Sequence, residues 1–239
     1  MKAAKAARTV KRVVLTSSTA SMVYGHPPER LTRGPFTEED WTNIDNPATP
    51  VGAYQKSKTI AERAARNWVA AEGGGLEIAT VHPCGIYGPL LSTHYPTSVQ
   101  LVEWCMNGQL PALPQLGFGV VDVRDVADLH LRAMTDPKAK GERFLAVADE
   151  YIDVPGVAAL LRRRFGEKAS KVPTRVAPNW VLKIVGYFDA QVAMMAPELG
   201  TRKEESNEKA KRVLGWKPRS VEEALVATTE SLERFGLLK

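Results

Sequence analysis

The sequence predicts an α/β fold with a parallel sheet, and three observations in its first third carry that prediction. Residues 12–18 (RVVLTSS) form a β-branched run that ends in small hydroxyl side chains, as buried parallel strands often do. A helical repeat follows over 50–72 and stops at Gly73-Gly74-Gly75. A second apolar run occupies 76–81 and is broken by Pro83. Strand, long helix, glycine stop and strand make a βαβ crossover, which joins parallel strands.

The remaining elements are predicted in chain order. Residues 1–12 (MKAAKAARTVKR) are typical of the last turns of a helix, and without an N-cap residue this helix is expected to begin before residue 1. Residues 19–50 are rich in Pro, Gly, Thr and Asn and predict a long functional loop. We expect short strands at 119–123 and 143–147. Helices are predicted over 98–107, 124–135, 154–165, 207–214 and 220–237, and 178–195 is apolar enough for a packed lobe or an interface helix.

Composition and charge exclude several classes of protein. The 239 residues carry 32 Lys+Arg against 27 Asp+Glu, a net charge of +5 that is scattered and argues against a nucleic-acid partner. Apolar runs are far shorter than the roughly 20 residues that cross a bilayer, so no membrane partner is expected. Cys84 and Cys105 form no CxxC motif, and the four histidines show no ligand spacing. We therefore expect neither a disulfide framework nor a metal site, and a cytoplasmic protein.

Three side chains are candidates for catalysis. Tyr54 and Lys58 are four residues apart, on one face of the predicted helix. A phenol is a poor acid or base at neutral pH unless its anion is stabilised, and a nearby ammonium stabilises a phenolate. Ser18 ends the first strand, at the edge where ligands of open α/β sheets gather. The three would surround one reacting carbonyl group.

Each of these residues also has an ordinary structural interpretation. Tyr and Lys at this spacing occur often on solvated helices, and a hydroxyl at a strand end is commonly a turn or cap residue. The pair in the right order on a βαβ unit makes catalysis and chance about equally probable on spacing alone.

Five segments make the chain resemble a known family. They are VVLTSS (13–18), YQKSKTIAERAA (54–65), VHPCGIYGP (81–89), VDVRDVADLHLRAM (121–134) and NEKAKRVLGWKP (207–218). Together they are similar to the extended short-chain dehydrogenase/reductases of the NAD-dependent epimerase/dehydratase superfamily, and most of all to the dihydroflavonol-reductase-like aldehyde and ketone reductases. The resemblance covers almost the whole chain.

The resemblance implies roles for particular residues. Ser18 would orient the substrate oxygen, Tyr54 would be the acid/base, and Lys58 would assist Tyr54 and hold the nicotinamide ribose. A cofactor-binding segment, Pro83, Cys84, Gly85 and Ile86, would border the nicotinamide carboxamide. The implied reaction is hydride transfer from NAD(P)H to a carbonyl carbon, without a metal. The implied fold is a Rossmann-type sheet over residues 1–90 and a small mixed substrate lobe over 91–239, with one strand returning to the sheet near 143–147.

The sequence departs from the family pattern at two places. Related sugar-nucleotide epimerases and dehydratases usually carry Asn where this chain has Gly85, so a small apolar carbonyl substrate is expected before a sugar nucleotide. No segment matches the glycine-rich turn that holds a dinucleotide pyrophosphate. We therefore expect the N-terminal strands of the sheet, on the order of 100 residues, to be missing together with the phosphate-binding part and the residue that selects NAD or NADP.

Three hypotheses follow for the function. The first is a truncated NAD(P)-dependent carbonyl reductase, which would be inactive alone and would pair with a complementary N-terminal half or form a homo-oligomer. The second is a sugar-nucleotide epimerase or dehydratase of the same superfamily. The third is a non-catalytic remnant that acts as a binding or scaffold protein, because a bare sheet edge invites association.

Overall fold

A computed structural model describes residues 1–239, apart from the side chains of Ala190, Gln191 and Met194. The chain divides into two compact units, each assembled from three stretches. Unit 1 contains Met1–Cys84, Arg124–Asp149 and Lys203–Pro218, and unit 2 contains Gly85–Val123, Glu150–Arg202 and Arg219–Lys239. The predicted strand near 143–147 lies in unit 1. The predicted functional division into residues 1–90 and 91–239 stays a prediction.

The secondary structure follows the predicted order closely. The strands are β1 (Arg12–Thr16), β2 (Glu77–Pro83), β3 (Gly85–Tyr87), β4 (Gly117–Asp122), β5 (Arg143–Ala146) and β6 (Tyr151–Asp153). The α-helices are α1 (Lys2–Ala6), α2 (Ala53–Glu72), α3 (Thr97–Met106), α4 (Val123–Thr135), α5 (Val154–Phe165), α6 (Asn179–Val185), α7 (Ala190–Met195), α8 (Glu208–Leu214) and α9 (Val221–Arg234). Short 3-10 helices lie at Thr19–Ser21, Pro28–Thr32, Pro137–Ala139, Gly166–Ala169 and Ala196–Glu198.

Unit 1 contains a three-stranded parallel sheet in the order β1-β2-β5. Val13 pairs with Ile78, and Val81 pairs with Phe144. Helix α2 is the crossover between β1 and β2, and its end at the glycine run is explained by Gly74 and Gly75, whose φ angles of 59° and 96° favour glycine. The predicted α/β class with a parallel sheet is confirmed. Among the described residues, no strand pairs with the outer side of β1.

The second strand was predicted over 76–81 with a break at Pro83, and β2 does end at Pro83, which itself still pairs with Ala146. Proline fits this last position because N–H directions alternate along a strand. The amides of Thr80 and Cys84 point toward β5, where they donate to the Glu142 and Ala146 carbonyl oxygens. The nitrogen of Pro83 therefore points to the β1 side, where the ladder has already ended at Val81. No hydrogen bond is lost there.

The long loop at 19–50 is held in place by its own contacts within unit 1. Thr42 Oγ1 donates to the Ala20 carbonyl oxygen at 2.8 Å. The Phe36 amide donates to the Glu204 carbonyl oxygen at 2.7 Å, which joins the loop to the last stretch of unit 1. Met22 and Phe36 pack with Leu145 in a buried cluster. The loop is therefore part of the unit 1 core, as well as the segment that follows Ser18.

Unit 2 has a separate three-stranded sheet, with β3 and β4 parallel and β4 and β6 antiparallel. Helices α3, α5 and α9 pack together in this unit, and α9 also packs on β4. The apolar segment expected over 178–195 forms two helices, α6 and α7, with 186–189 between them. Strands β3 and β6 were not predicted, because three residues each give no detectable alternation. A substrate-binding role for this unit stays a prediction.

A membrane-spanning helix and a metal-binding cluster are both absent from the described residues. No helix among them is both long enough and apolar enough to span a membrane. Within the same part of the chain, no group of three or more His, Cys, Asp or Glu side chains is arranged to hold a metal ion.

Candidate active site

Ser18 lies where β1 has ended and the 3-10 helix Thr19–Ser21 begins. Its backbone is extended, and its Oγ accepts a hydrogen bond from the Ala20 amide at 3.1 Å. Ser18 thus caps this short helix, as the structural interpretation expected, and it is only 9% exposed. Because the cap uses a lone pair of the hydroxyl, it leaves the O–H hydrogen for an acceptor outside the turn.

Tyr54 and Lys58 lie on the first turns of α2, one turn apart. Tyr54 is 58% exposed, and the Lys58 ammonium lies 5.9 Å from the centroid of the Tyr54 ring. That distance is within the range of cation–π attraction. Among the described residues, no carboxylate lies within ion-pair distance of Lys58. The phenol is therefore open to solvent beside a cation that no carboxylate neutralises.

The three predicted catalytic residues belong to unit 1, and α2 packs against the 3-10 helix that Ser18 caps. The predicted cofactor-binding segment is divided between the units. Pro83 and Cys84 end the unit 1 stretch, whereas Gly85 and Ile86 begin unit 2. The roles assigned to all these residues stay predictions.

A buried polar network lies between α2 and the strand ends, and the sequence reasoning missed it. At its centre is Glu62, which is 0% exposed and follows Lys58 by one helical turn. Its carboxylate contacts Arg66 one turn further along the same helix, and side chains that follow β1 or belong to β2 and β5. The latter are Ser17, Ser21, Thr80, His82 and Arg143. The Ala61-Glu62 pair was visible in the family-like segment, but nothing in the spacing marked it as buried.

The charges in this network are set by burial and by mutual contact. Burial alone would raise the pKa of Glu62, but the hydrogen bonds and charges of His82 and Arg143 hold that pKa far below its usual range. Burial lowers the pKa of His82, and contact with Glu62 offsets part of this effect. Burial also lowers the pKa of Arg143. Glu62 is thus a carboxylate at neutral pH.

In the predicted cofactor-binding segment, two backbone groups are already used inside the protein. The Cys84 amide donates to the Ala146 carbonyl oxygen at 3.3 Å within unit 1. In unit 2, Ser98 Oγ donates to the Ile86 carbonyl oxygen at 2.6 Å. These bonds fix the backbone on both sides of Gly85.

Gly85 has a packing role that explains its identity. It pairs with Val120, and a Cβ atom at Gly85 would lie 3.1 Å from the Gly119 carbonyl oxygen and 3.2 Å from Tyr87 Cε2. Both distances are tighter than ordinary van der Waals contact. A larger residue, such as the Asn of sugar-nucleotide enzymes, would therefore need β3 and β4 to move apart.

The parallel sheet, its α2 crossover and the hydroxyl at the carboxyl end of β1 define a Rossmann-like α/β protein. A family model described as "NAD dependent epimerase/dehydratase family" matches residues 1–148. The chain belongs to this family.

Among curated proteins, several relatives are reductases. The NADPH-dependent methylglyoxal reductase GRE2 of Saccharomyces cerevisiae is 31% identical over 96% of this chain and 66% of its own length. The ketoreductase azaE of Aspergillus niger is 31% identical over 77% of this chain and 56% of its own length. Dihydroflavonol 4-reductase of Zea mays is 31% identical over 70% of this chain and 46% of its own length. The chain thus spans between about half and two thirds of these relatives.

Solved structures show the same fold. Yeast methylglyoxal/isovaleraldehyde reductase Gre2, complexed with NADPH, has a TM-score of 0.70 and 26% identity, over 95% of this chain and 65% of that one. The structure of gox2253 has a TM-score of 0.77 over 96% of this chain and 68% of that one, at 22% identity. The predicted resemblance to reductases of this superfamily is confirmed.

Proposed function

We propose that this chain carries the acid/base site of an NAD(P)-dependent carbonyl reductase, with Ser18, Tyr54 and Lys58 as its catalytic residues. One observation carries the proposal. The exposed phenol of Tyr54 stands beside an ammonium that no described carboxylate neutralises, on a helix packed against the turn that Ser18 caps. Exposure alone also fits a solvated helix face, but packing of this helix against the Ser18 turn goes beyond what a solvated pair requires. The similarity to a ketoreductase, a methylglyoxal reductase and a dihydroflavonol reductase favours the same chemistry.

The residues present fit one end of the cofactor. Lys58 offers an ammonium donor for ribose hydroxyls, and Pro83 and Cys84 lie at the carboxyl end of β2, where open α/β sheets receive nucleotides. No segment of the 239 residues offers the glycine-rich turn for the pyrophosphate. We propose that a complementary N-terminal half supplies this part. The NADPH-dependent yeast relative favours NADPH over NADH.

In the proposed reaction, bound NAD(P)H would supply a hydride to the carbonyl carbon of the substrate. The Tyr54 hydroxyl donates its proton to the carbonyl oxygen. The C=O double bond thereby becomes a C–O single bond, with one new C–H bond and one new O–H bond. Lys58 stabilises the phenolate that remains, because opposite charges favour the ionised phenol. Ser18 donates its O–H to the same substrate oxygen and orients it toward Tyr54. A proton from solvent then restores the phenol.

The substrate class is proposed to be a small apolar carbonyl compound. The packing of Gly85 favours this choice, since a Cβ atom there would already lie 3.1 Å from the Gly119 carbonyl oxygen and an amide side chain would be crowded. The similarity to a methylglyoxal reductase and a ketoreductase favours the same substrate class.

The test is carbonyl reduction by the full chain, measured as loss of NADPH absorbance with methylglyoxal as substrate. It is run with and without an added polypeptide that supplies a glycine-rich βα unit from a homologous reductase. We expect Tyr54→Phe to lower turnover by roughly 100-fold or more while circular dichroism is unchanged, because only a hydroxyl is lost. Lys58→Met is expected to weaken both NADPH binding and turnover.

The matched control is Lys56→Met, on the same helix but exposed and outside the site. It should leave turnover within about twofold of the unsubstituted chain. Full turnover in Tyr54→Phe would refute its proposed role. Absence of reduction even with the added unit would favour the non-catalytic binding protein. Micromolar NADPH binding by the chain alone would contradict the proposed need for a complementary half.

A further inference from the structure

Glu62 receives more hydrogen bonds than a buried ion pair requires. Ser17 Oγ and Ser21 Oγ donate to its Oε2 at 2.9 and 3.0 Å. On the other oxygen, Arg143 Nε donates at 2.9 Å and Arg66 Nε at 3.1 Å. Thr80 Oγ1 also donates to Oε1, at 3.2 Å, and His82 Nε2 lies 3.3 Å from it. Since Arg143 alone would neutralise the carboxylate, the remaining contacts need another explanation.

The contacts of Oε2 flank Ser18 on both sides. Ser17 is the residue before Ser18, and Ser21 is the last residue of the turn that Ser18 caps. The Ser21 amide donates to the Ser18 carbonyl oxygen at 3.0 Å, and His82 Nδ1 lies 3.2 Å from the same oxygen. Glu62 therefore fixes the backbone of Ser18 through Ser17 and Ser21, which lie on either side of it.

The same carboxylate belongs to the helix that carries Tyr54 and Lys58. It lies one turn after Lys58 and two turns after Tyr54, on a helix that is rigid over this length. One end of this connection is the turn of the proposed orienting serine, and the other is the helix of the proposed acid/base. The interior around it is fully buried, so the hydrogen bonds cannot be replaced by water.

We infer that Glu62 is a positioning residue, which holds the turn of Ser18 in register with the Tyr54–Lys58 helix through Ser17 and Ser21. The inference rests on the proposed reductase function. It assigns Glu62 no contact with substrate or cofactor. A glutamine at 62 keeps the size of the side chain, but its amide nitrogen would face two of the present donors instead of accepting from them. The turn of Ser18 would then no longer be held at a fixed position relative to helix α2.

The kinetic test compares Glu62→Gln with the unsubstituted chain in methylglyoxal reduction, with the complementing βα unit present. We expect kcat to fall by roughly 10- to 100-fold, since small displacements of reacting groups cost that much, and KM to change by less than about twofold. In a Ser18→Ala background, Glu62→Gln should add no more than about a further twofold loss, because its effect passes through Ser18. Independent, multiplying losses would overturn the inference.

Glu77→Gln is the matched control. Glu77 is also an arginine-bound glutamate of unit 1, paired with Arg12 at 2.7 Å, but it lies at the opposite end of β2 from Pro83. Its variant should keep kcat. If Glu77→Gln lowers kcat as much as Glu62→Gln, the effect of Glu62 is general destabilisation and the inference is wrong.

A second readout needs no activity. Amide hydrogen exchange by mass spectrometry should be faster over residues 17–21 in Glu62→Gln and unchanged in α4, which Glu62 does not contact. Unchanged exchange over 17–21, or a uniform increase in every segment, would overturn the inference. If the unsubstituted chain reduces no carbonyl, the proposed function fails, whereas the exchange result still decides whether Glu62 holds the Ser18 turn.

Discussion

At the scale of single residues, Glu205 makes the stability of unit 1 depend on pH. The residue as a whole is half-buried, but its Oε2 is enclosed and has no hydrogen-bond partner among the described residues. Burial raises the pKa of Glu205 to about 8. The folded chain therefore binds a proton that the unfolded chain, with an ordinary carboxyl pKa near 4.5, releases over the same pH range.

The sign of the pH effect follows from this difference. The contribution of Glu205 is fully present below about pH 4.5 and is lost as the pH rises through about 8. We expect the midpoint of urea unfolding to fall between about pH 5 and pH 8, and Glu205→Gln to flatten this slope, because an amide does not ionise. Glu204→Gln, next to it and exposed, is the control. If the urea midpoint of Glu205→Gln changes with pH as steeply as that of the unsubstituted chain, the prediction is wrong.

At the scale of elements, the start of α9 is stabilised by a reciprocal pair of side-chain bonds. Ser220 Oγ accepts from the Glu223 amide at 3.2 Å, and Glu223 Oε2 accepts from the Ser220 amide at 3.1 Å. Both bonds satisfy amides that the helix itself leaves without partners. This capping box fixes where α9 begins, in the part of unit 2 where it packs on β4 and α3.

Ser220→Ala should lower the free energy of unfolding of unit 2 by about 1 kcal/mol, because the cap is lost while the apolar contacts of α9 remain. The measurement is the urea midpoint, followed by circular dichroism. Ser170→Ala removes another exposed serine hydroxyl from unit 2, but from a position that caps no α-helix, and should leave the midpoint unchanged. A drop shared by both variants would show that the cap is not its cause.

The sequence predicted most helices and strands correctly, but it did not predict the contacts that these elements make with one another. The bounds of α5 were predicted to the residue and those of α2 to within three residues at its start, because capping and glycine signals are local. The strand ends at Pro83 as predicted, but that Pro83 itself pairs with Ala146 depends on where a neighbouring strand ends. The candidate residues Ser18, Tyr54 and Lys58 came from spacing and family resemblance. Glu62 was missed, since its partners after β1, on β2 and on β5 meet only after folding.

At the scale of the whole molecule, we expect copies of the chain to associate through the outer edge of β1. No described strand covers it, and the neighbouring helix α4 exposes Leu131 (59%) and Met134 (51%). Arg12 of β1 donates to the Ala133 carbonyl oxygen at 2.8 Å, so these side chains lie beside the open edge. An open parallel strand bordered by apolar side chains is a template for another chain.

We expect the chain to form dimers or larger assemblies at micromolar concentration, measured by size-exclusion chromatography with light scattering. Leu131→Glu should shift the mass toward the monomer, because a charge beside the edge opposes pairing. The control is Val176→Glu, an exposed apolar side chain of unit 2. A monomeric unsubstituted chain would contradict the prediction, as would an equal effect of both variants.

The three-part construction of unit 1 has a consequence for how the protein is made. The matched family model ends at residue 148, yet unit 1 also needs Lys203–Pro218. There Trp216 is 1% exposed and its Nε1 donates to the Asp125 carbonyl oxygen at 3.0 Å, and Asn207 Nδ2 donates to the Val147 carbonyl oxygen at 2.8 Å. During translation, the parallel sheet and the Ser18 turn are therefore expected to stay incompletely covered until the stretch 203–218 has left the ribosome, long after β1, β2 and β5 have emerged.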